Sequence, residues 1–129
     1  MSQTPNLSNS KITQISMVAH DVERATAFYR DRLGIRHLFS ASGMAFFDAG
    51  GVRLLLGRPE NPQQDHPGSI LYFDVPDIQA THAFLEAQAV EIVQKPHKVA
   101  PMPNGDLWIG FFKDSEGNTL AITSVVPRA

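Results

Sequence analysis

The sequence predicts an α+β fold made of two tandem βαβββ modules. Three observations carry this. The phrase Asp21-Val22-Glu23-Arg24-Ala25-Thr26-Ala27-Phe28-Tyr29 is answered 56 residues later by Asp77-Ile78-Gln79-Ala80-Thr81-His82-Ala83-Phe84-Leu85. Each copy follows a short β-like run, at 12–19 and 70–75. Each is followed by short strands that end in a Gly turn and an apolar strand, Gly51-Val52-Arg53-Leu54-Leu55-Leu56 and Gly117-Asn118-Thr119-Leu120-Ala121-Ile122. Two units of one kind in one small chain imply a pseudo-symmetric fold with a cleft between or within the halves.

Module one spans 11–57. Ile15, Met17 and Ala19 alternate with Gln14, Ser16 and Val18, the period of a strand with one apolar and one mixed face. Asp21 is suited to cap the helix that follows, because its carboxylate accepts from free N–H groups of the first turn. Val22, Ala25, Tyr29 and Leu33 recur at helical spacing and predict a helix over 22–33, with Gly34 as the left-handed residue that ends it. Short strands follow near 36–40 and 44–47, turning at Ala49-Gly50-Gly51 into a strand over 52–57.

The stretch 58–67 is polar, carries three prolines, and reads as a linker. Module two, 68–126, opens with a strand in which Leu71, Phe73 and Val75 share a face. Asp77 caps a helix over 78–88, and 90–93 is extended. The prolines of 96–106 predict a loop, and strands at 107–112 and 118–125 are joined by the turn Asp114-Ser115-Glu116-Gly117-Asn118. The offset between copies grows from 56 at the helices to 66 at the Gly turns, so module two holds ten extra residues, naturally placed in the 96–106 loop. Such an insertion either covers a binding site or is a neutral surface feature.

Composition narrows the function. The 129 residues are 43% hydrophobic and 19% charged, values of an ordinary globular domain. A net charge of -2 supplies no basic surface for nucleic acid or anionic membrane. With no cysteine, disulfides, thiolate metal sites and a Cys nucleophile are excluded. Met1 to Ser10 is polar, without a signal-peptide profile, and no apolar run is long enough to span a membrane, so a cytoplasmic protein with a frayed N-terminal tail is expected. Esterase, NTPase and dinucleotide fingerprints do not occur.

The two βαβββ units, with the phrases Asp21-Val22-Glu23-Arg24-Ala25 to Phe28-Tyr29 and Phe111-Phe112-Lys113-Asp114-Ser115-Glu116-Gly117-Asn118, resemble the vicinal oxygen chelate superfamily over about 11–126. That superfamily comprises glyoxalases, extradiol dioxygenases, epimerases and the fosfomycin- and bleomycin-resistance proteins. The resemblance implies sheets curved around a cavity, helices on their outer faces, and a homodimer. It also implies a divalent-metal site whose ligand positions fall here on Gln14, Leu55, Ile70 and Ala121. Only Gln14 has a side chain with lone pairs to give, whereas such a site needs three or four N or O ligands. No metal and no other cofactor is therefore expected. The histidines show no ligating spacing, and His82 and His66 read as solvated surface.

Strand alternation assigns Ile15, Met17, Leu54, Leu56, Leu71, Phe73, Leu120 and Ile122 to the helix-packed faces. It leaves Gln14, Ser16, Arg53, Leu55, Ile70, Tyr72, Ala121 and Thr123 on the opposite faces, with Ile109 and Phe111 as apolar walls: the mixture of a small-molecule site. Arg53 has two readings, a guanidinium that takes a carboxylate or phosphate, or a strand-edge residue that reaches solvent or pairs with Asp48. His97, with Tyr72, is the candidate acid–base pair. The functional classes are a metal-independent protein that binds a small, partly anionic molecule, a lyase, isomerase or dioxygenase with an unorthodox site, and a regulatory or structural subunit whose cleft is filled by its own side chains.

Overall fold

The computed structural model describes residues 5–128; of the expected N-terminal tail, residues 1–4 lie outside the described residues. Strands β1 (Gln14–Val18), β2 (Arg36–Ala41), β3 (Met44–Ala49) and β4 (Val52–Gly57) form one four-stranded sheet in the order β1-β4-β3-β2. Strands β5 (Leu71–Asp74), β6 (Glu91–Met102), β7 (Gly105–Lys113) and β8 (Thr119–Val126) form a second in the order β5-β8-β7-β6. In each sheet the first strand pairs parallel with the last and the remaining pairs are antiparallel. Helices α1 (Val22–Ala27) and α2 (Ile78–Ala87) follow β1 and β5. The βαβββ repeat is thus realised twice. Asp21 and Asp77 both cap as expected, accepting from the N–H of Arg24 and of Ala80.

The expected helix-packed faces are the core. Met17, Leu54, Leu56, Leu120 and Ile122 are buried, and Ile15, Leu71 and Phe73 pack against them. Tyr29, Phe47, Leu54, Leu56 and Leu120 are the largest fully buried side chains. Deleting such a Leu typically costs about 2–5 kcal/mol.

Three sequence expectations need correction. The first helix is α-helical only to Ala27 and then takes a wider π-turn over Phe28–Arg32, closed by the N–H of Leu33 on the carbonyl of Phe28 at 3.1 Å. Both Phe28 and Tyr29 are buried, so the core takes two adjacent residues where regular amphipathic spacing supplies one. Second, 96–106 is not a loop. Its residues extend β6 and β7 into a longer hairpin, turning at 103–104. Pro96 and Pro101 are tolerated there because β6 is an edge strand with no outer neighbour to receive an N–H. Gly110 of β7 lies against Pro96, where a Cβ would come within 3.2–3.3 Å of the proline ring. Third, His82 is not solvated surface. It is 9% exposed on α2, with Nε2 3.3 Å from Glu86 one turn later.

The modules are joined by a polar knot. Asp114, buried, accepts four hydrogen bonds: Oδ1 from the N–H groups of Glu116 and Asn118, both at 2.8 Å, and Oδ2 from the Tyr29 hydroxyl at 2.7 Å and the Asn118 side chain at 2.8 Å. Asn118 also donates to the carbonyl of Val18 at the end of β1. Glu116, its side chain 2% exposed, receives Arg24 through two guanidinium nitrogens and the N–H of Asp21. Burial and the Asp114 charge hold the Tyr29 phenol far above its ordinary range, so it stays a donor. Burial pushes the Glu116 carboxyl upward, but the bonds from Arg24, Asp21 and Ser115 together outweigh it and leave it below the usual carboxylate range.

Candidate functional site

The register lays the non-core face of the first sheet out in three rows. Gln14, Arg53, Asp48 and Arg36 form the first, Ser16, Leu55, Phe46 and Phe39 the second, Val18, Gly57, Met44 and Ala41 the third. The first row is polar and charged. The second is apolar beyond Ser16, and its Phe39 and Phe46 rings stack with centroids 4.5 Å apart. A charged row thus runs beside an aromatic one.

Arg53 is the pivot between them. Its Nε donates to Gln14 Oε1 at 2.7 Å, and its guanidinium carbon lies 5.7 Å from the centroid of Phe46. Among the described residues it has no ion-pair partner. Asp48, its register neighbour, instead accepts from the N–H of Gly51 at the β3–β4 turn. Gln14 and Phe46 therefore hold the side chain from two sides. With Nε engaged, the four N–H donors of the two terminal nitrogens form the fork that receives a planar oxyanion end-on.

The same bond bears on a metal. Gln14, which alone of the implied ligand positions has a donor side chain, already gives its oxygen to a cation. Leu55, Ile70 and Ala121 contribute hydrocarbon, and among the described residues no group of three or more His, Asp or Glu is arranged to hold an ion. This donor set does not fit a divalent cation.

On the second sheet Tyr72, Ala121, Phe111 and Gln94 share one row, and Asp74, Thr123, Ile109 and His97 the next. The Tyr72 and Phe111 rings meet edge to face at 6.1 Å across Ala121, which is 0% exposed. Ala121 thus lies beneath two aromatic side chains. Thr123 spends its hydroxyl on the carbonyl of Trp108. His97 and Tyr72 stand on strands with β7 and β8 between them, roughly 14 Å apart at the usual strand spacing. Among the described residues no hydrogen bond joins the two side chains, and the His97 ring nitrogen Nδ1 lies 3.2 Å from the carbonyl of Lys95.

A cavity of about 400 Å³ opens at the third row of the first sheet. Ser16, Leu55, Gly57 and Met44 belong to its floor, and the 58–68 segment supplies its far wall through Arg58, Glu60, Gln64 and His66. Ile70 borders a separate cavity of about 310 Å³, beside Lys113 and Thr119. Reading 58–67 merely as a linker missed the wall. The signal was there: an Arg and a Glu directly after the glycine that ends an apolar strand. The segment carries a 3-10 turn at Pro62–Gln64 capped by Asn61, and His20 Nε2 lies 2.9 Å from Asp65.

No helix among the described residues is long and apolar enough to cross a membrane. The family model described as Glyoxalase/Bleomycin resistance protein/Dioxygenase superfamily matches residues 11–122. No curated protein matches the chain significantly in sequence. Among solved structures, the lactoylglutathione lyase of Agrobacterium tumefaciens is 23% identical, with 91% of this chain and 95% of that chain covered and a TM-score of 0.69. TioX of Micromonospora sp. ML1 is 19% identical, with 91% and 100% covered and a TM-score of 0.71. A glyoxalase/bleomycin resistance protein/dioxygenase family enzyme of Burkholderia phytofirmans PsJN is 16% identical, with 91% and 100% covered and a TM-score of 0.73. At such identities the likeness is one of fold. With the family model matched from the first strand to the last, the chain belongs to the glyoxalase/bleomycin resistance protein/dioxygenase superfamily.

Proposed function

We propose that this protein binds a small organic anion on the open face of its first sheet, without a divalent metal. The observation that carries the reading is Arg53, held by Gln14 and Phe46 and left with no anionic partner among the described residues. A guanidinium so placed has lost little of its hydration yet has its orientation set in advance, so a carboxylate gains two charge-assisted bonds at small entropic cost. The neighbouring row, Leu55, Phe46 and Phe39, suits an apolar or aromatic body two residues along the strands from the charge. The ligand is accordingly an aryl or alkyl carboxylate, or a phosphate ester of like shape. Ser16 borders the same face.

The test is a thermal-shift screen of aryl carboxylates, each paired with its neutral amide, run on chelator-treated protein. The reading expects carboxylates to raise the melting temperature and amides not to, with chelator making no difference. Stabilisation that appears only after a divalent ion is added would replace it with a metal-dependent site.

We also propose a homodimer. The edge strands β2 and β6 present Leu38, Phe39, Val93 and Val99 as exposed apolar residues, surface that pairing with a second copy would cover. Light scattering at micromolar concentration should return twice the chain mass; a single-chain mass rejects the idea.

A further inference from the structure

The 400 Å³ cavity at the end of β4 has a charge pattern that the anion site does not explain. Arg58 and Glu60 both line it, and among the described residues neither side chain has an ion-pair or hydrogen-bond partner. They do not pair with one another although they stand two residues apart. The N–H of Glu60 donates to Gln64 Oε1 at 3.1 Å, and the N–H of Gln64 donates to Asn61 Oδ1 at 3.1 Å. Two opposite charges not paired with one another thus line a cavity that Leu55 and Met44 also line.

We infer that this cavity takes the zwitterionic α-amino-acid group of a small ligand, carboxylate on Arg58 and ammonium on Glu60, with the apolar side chain along Leu55 and Met44. A simple anion would gain Arg58 and be repelled by Glu60, and a simple cation would meet the reverse. Only a ligand with both signs satisfies the two together, and that is how paired charges discriminate. Ser16 and Gln64 add polar atoms to the lining. The volume is that of a small-molecule site. The inference rests on the reading of this sheet face as a ligand site and names the chemistry at the end opposite Arg53. Leu55 borders both ends, so one elongated ligand with an anion at Arg53 and an amino-acid group at Arg58 would cover the face.

The test titrates the whole protein, by amide-resolved NMR, with three probes: L-norleucine, N-acetyl-L-norleucine, which lacks the ammonium, and L-norleucinamide, which lacks the carboxylate. L-norleucine should bind about tenfold or more tightly than either derivative, the scale of one lost charge-assisted bond, with shifts centred on Leu55, Gly57 and 58–66. Glu60→Gln should weaken L-norleucine and, by lifting the repulsion, tighten the N-acetyl probe, so that the two affinities converge. Arg58→Gln should bring it down to the amide level. Equal affinity for all three probes, or no binding of any, overturns the inference. If aryl carboxylates still bind through Arg53 in that case, the anion site stands and the zwitterion site alone has failed. If they too fail, the reading of the face has fallen with it.

Discussion

The middle rows of the two sheets carry equivalent bulk in opposite places. Module one sets Ser16 on its first strand beside Leu55 on its last; module two sets Tyr72 beside Ala121. Phe46 and Phe111 stand in register with the two last-strand residues. In module two the small Ala121 lets Tyr72 and Phe111 meet over it, so that row closes on its own side chains. In module one the small Ser16 leaves the row open at one end, beside the linker cavity. The charged groups differ in the same sense. Lys113 of module two spends its ammonium on Thr119 and the carbonyl of Gly117, whereas Arg53 of module one spends only Nε. One duplicated framework therefore gives a face whose middle row is filled by two aromatic rings and a face that sets an unpaired guanidinium beside an open row. Ligand chemistry belongs on the second.

The turns before the last strands diverge as well. Module one closes with Gly50-Gly51, both at positive φ, a two-residue connection that needs residues free of a Cβ. Module two closes with the five residues 114–118, and these reach the other module. Cutting the knot is the largest effect the comparison expects. Asp114→Ala should cost at least about 3 kcal/mol, since each hydrogen bond to a charged acceptor contributes ~1.5–3 kcal/mol and several go together. Asp48→Ala in the other turn loses one exposed bond and should cost no more than about 1 kcal/mol. Urea denaturation of both variants decides; similar costs would mean the two turns are equivalent after all.

A smaller effect tests the exchange of bulk. Ala121→Leu should overpack the closed row by about 1–3 kcal/mol. Adding Tyr72→Ser, which recreates the Ser16–Leu55 arrangement in module two, should recover part of that loss. A double-mutant cycle with no coupling would show that Tyr72 and Ala121 do not share the space.

The smallest effect concerns acid. The Glu116 carboxyl titrates lower in the folded protein than in the unfolded chain, so its contribution is present above about pH 4.3, the unfolded value, and is lost as pH falls through the lower folded one. Glu116→Gln should remove that contribution at neutral pH, a modest loss because Arg24 is solvent-exposed, and flatten the acid limb of the stability profile below that pH. An acid limb identical to that of the parent would remove Glu116 from the account.

The fold was legible because its signals are local. Asp21 and Asp77, each followed by a helical run, and the Gly turns at 51 and 117 report their own backbone. Alternation along the strands assigned the core correctly for the same reason. What the sequence hid is set by tertiary partners. The prolines of 96–106 suggested a loop, and only the edge position of β6 lets them sit in a strand. Nothing around His82 announces that it is buried. Of the candidate residues, Gln14 and Arg53 are brought together by parallel register 39 residues apart, while Tyr72 and His97 are held apart by two strands. The pairing of Tyr29 with Asp114 and the cavity wall of Arg58 and Glu60 depend on how modules and linker pack, which residue spacing does not encode.

Calorimetric titration of one aryl carboxylate and its primary amide into the parent protein and Arg53→Gln tests the central claim most directly. The carboxylate should bind the parent more tightly than the amide by about 1.5–3 kcal/mol, the contribution of hydrogen bonds to a charged group. Arg53→Gln should erase that difference while the amide's affinity stays put. A preference for the carboxylate that survives in Arg53→Gln, or no preference in the parent, would contradict the assignment of Arg53 as the anion receptor.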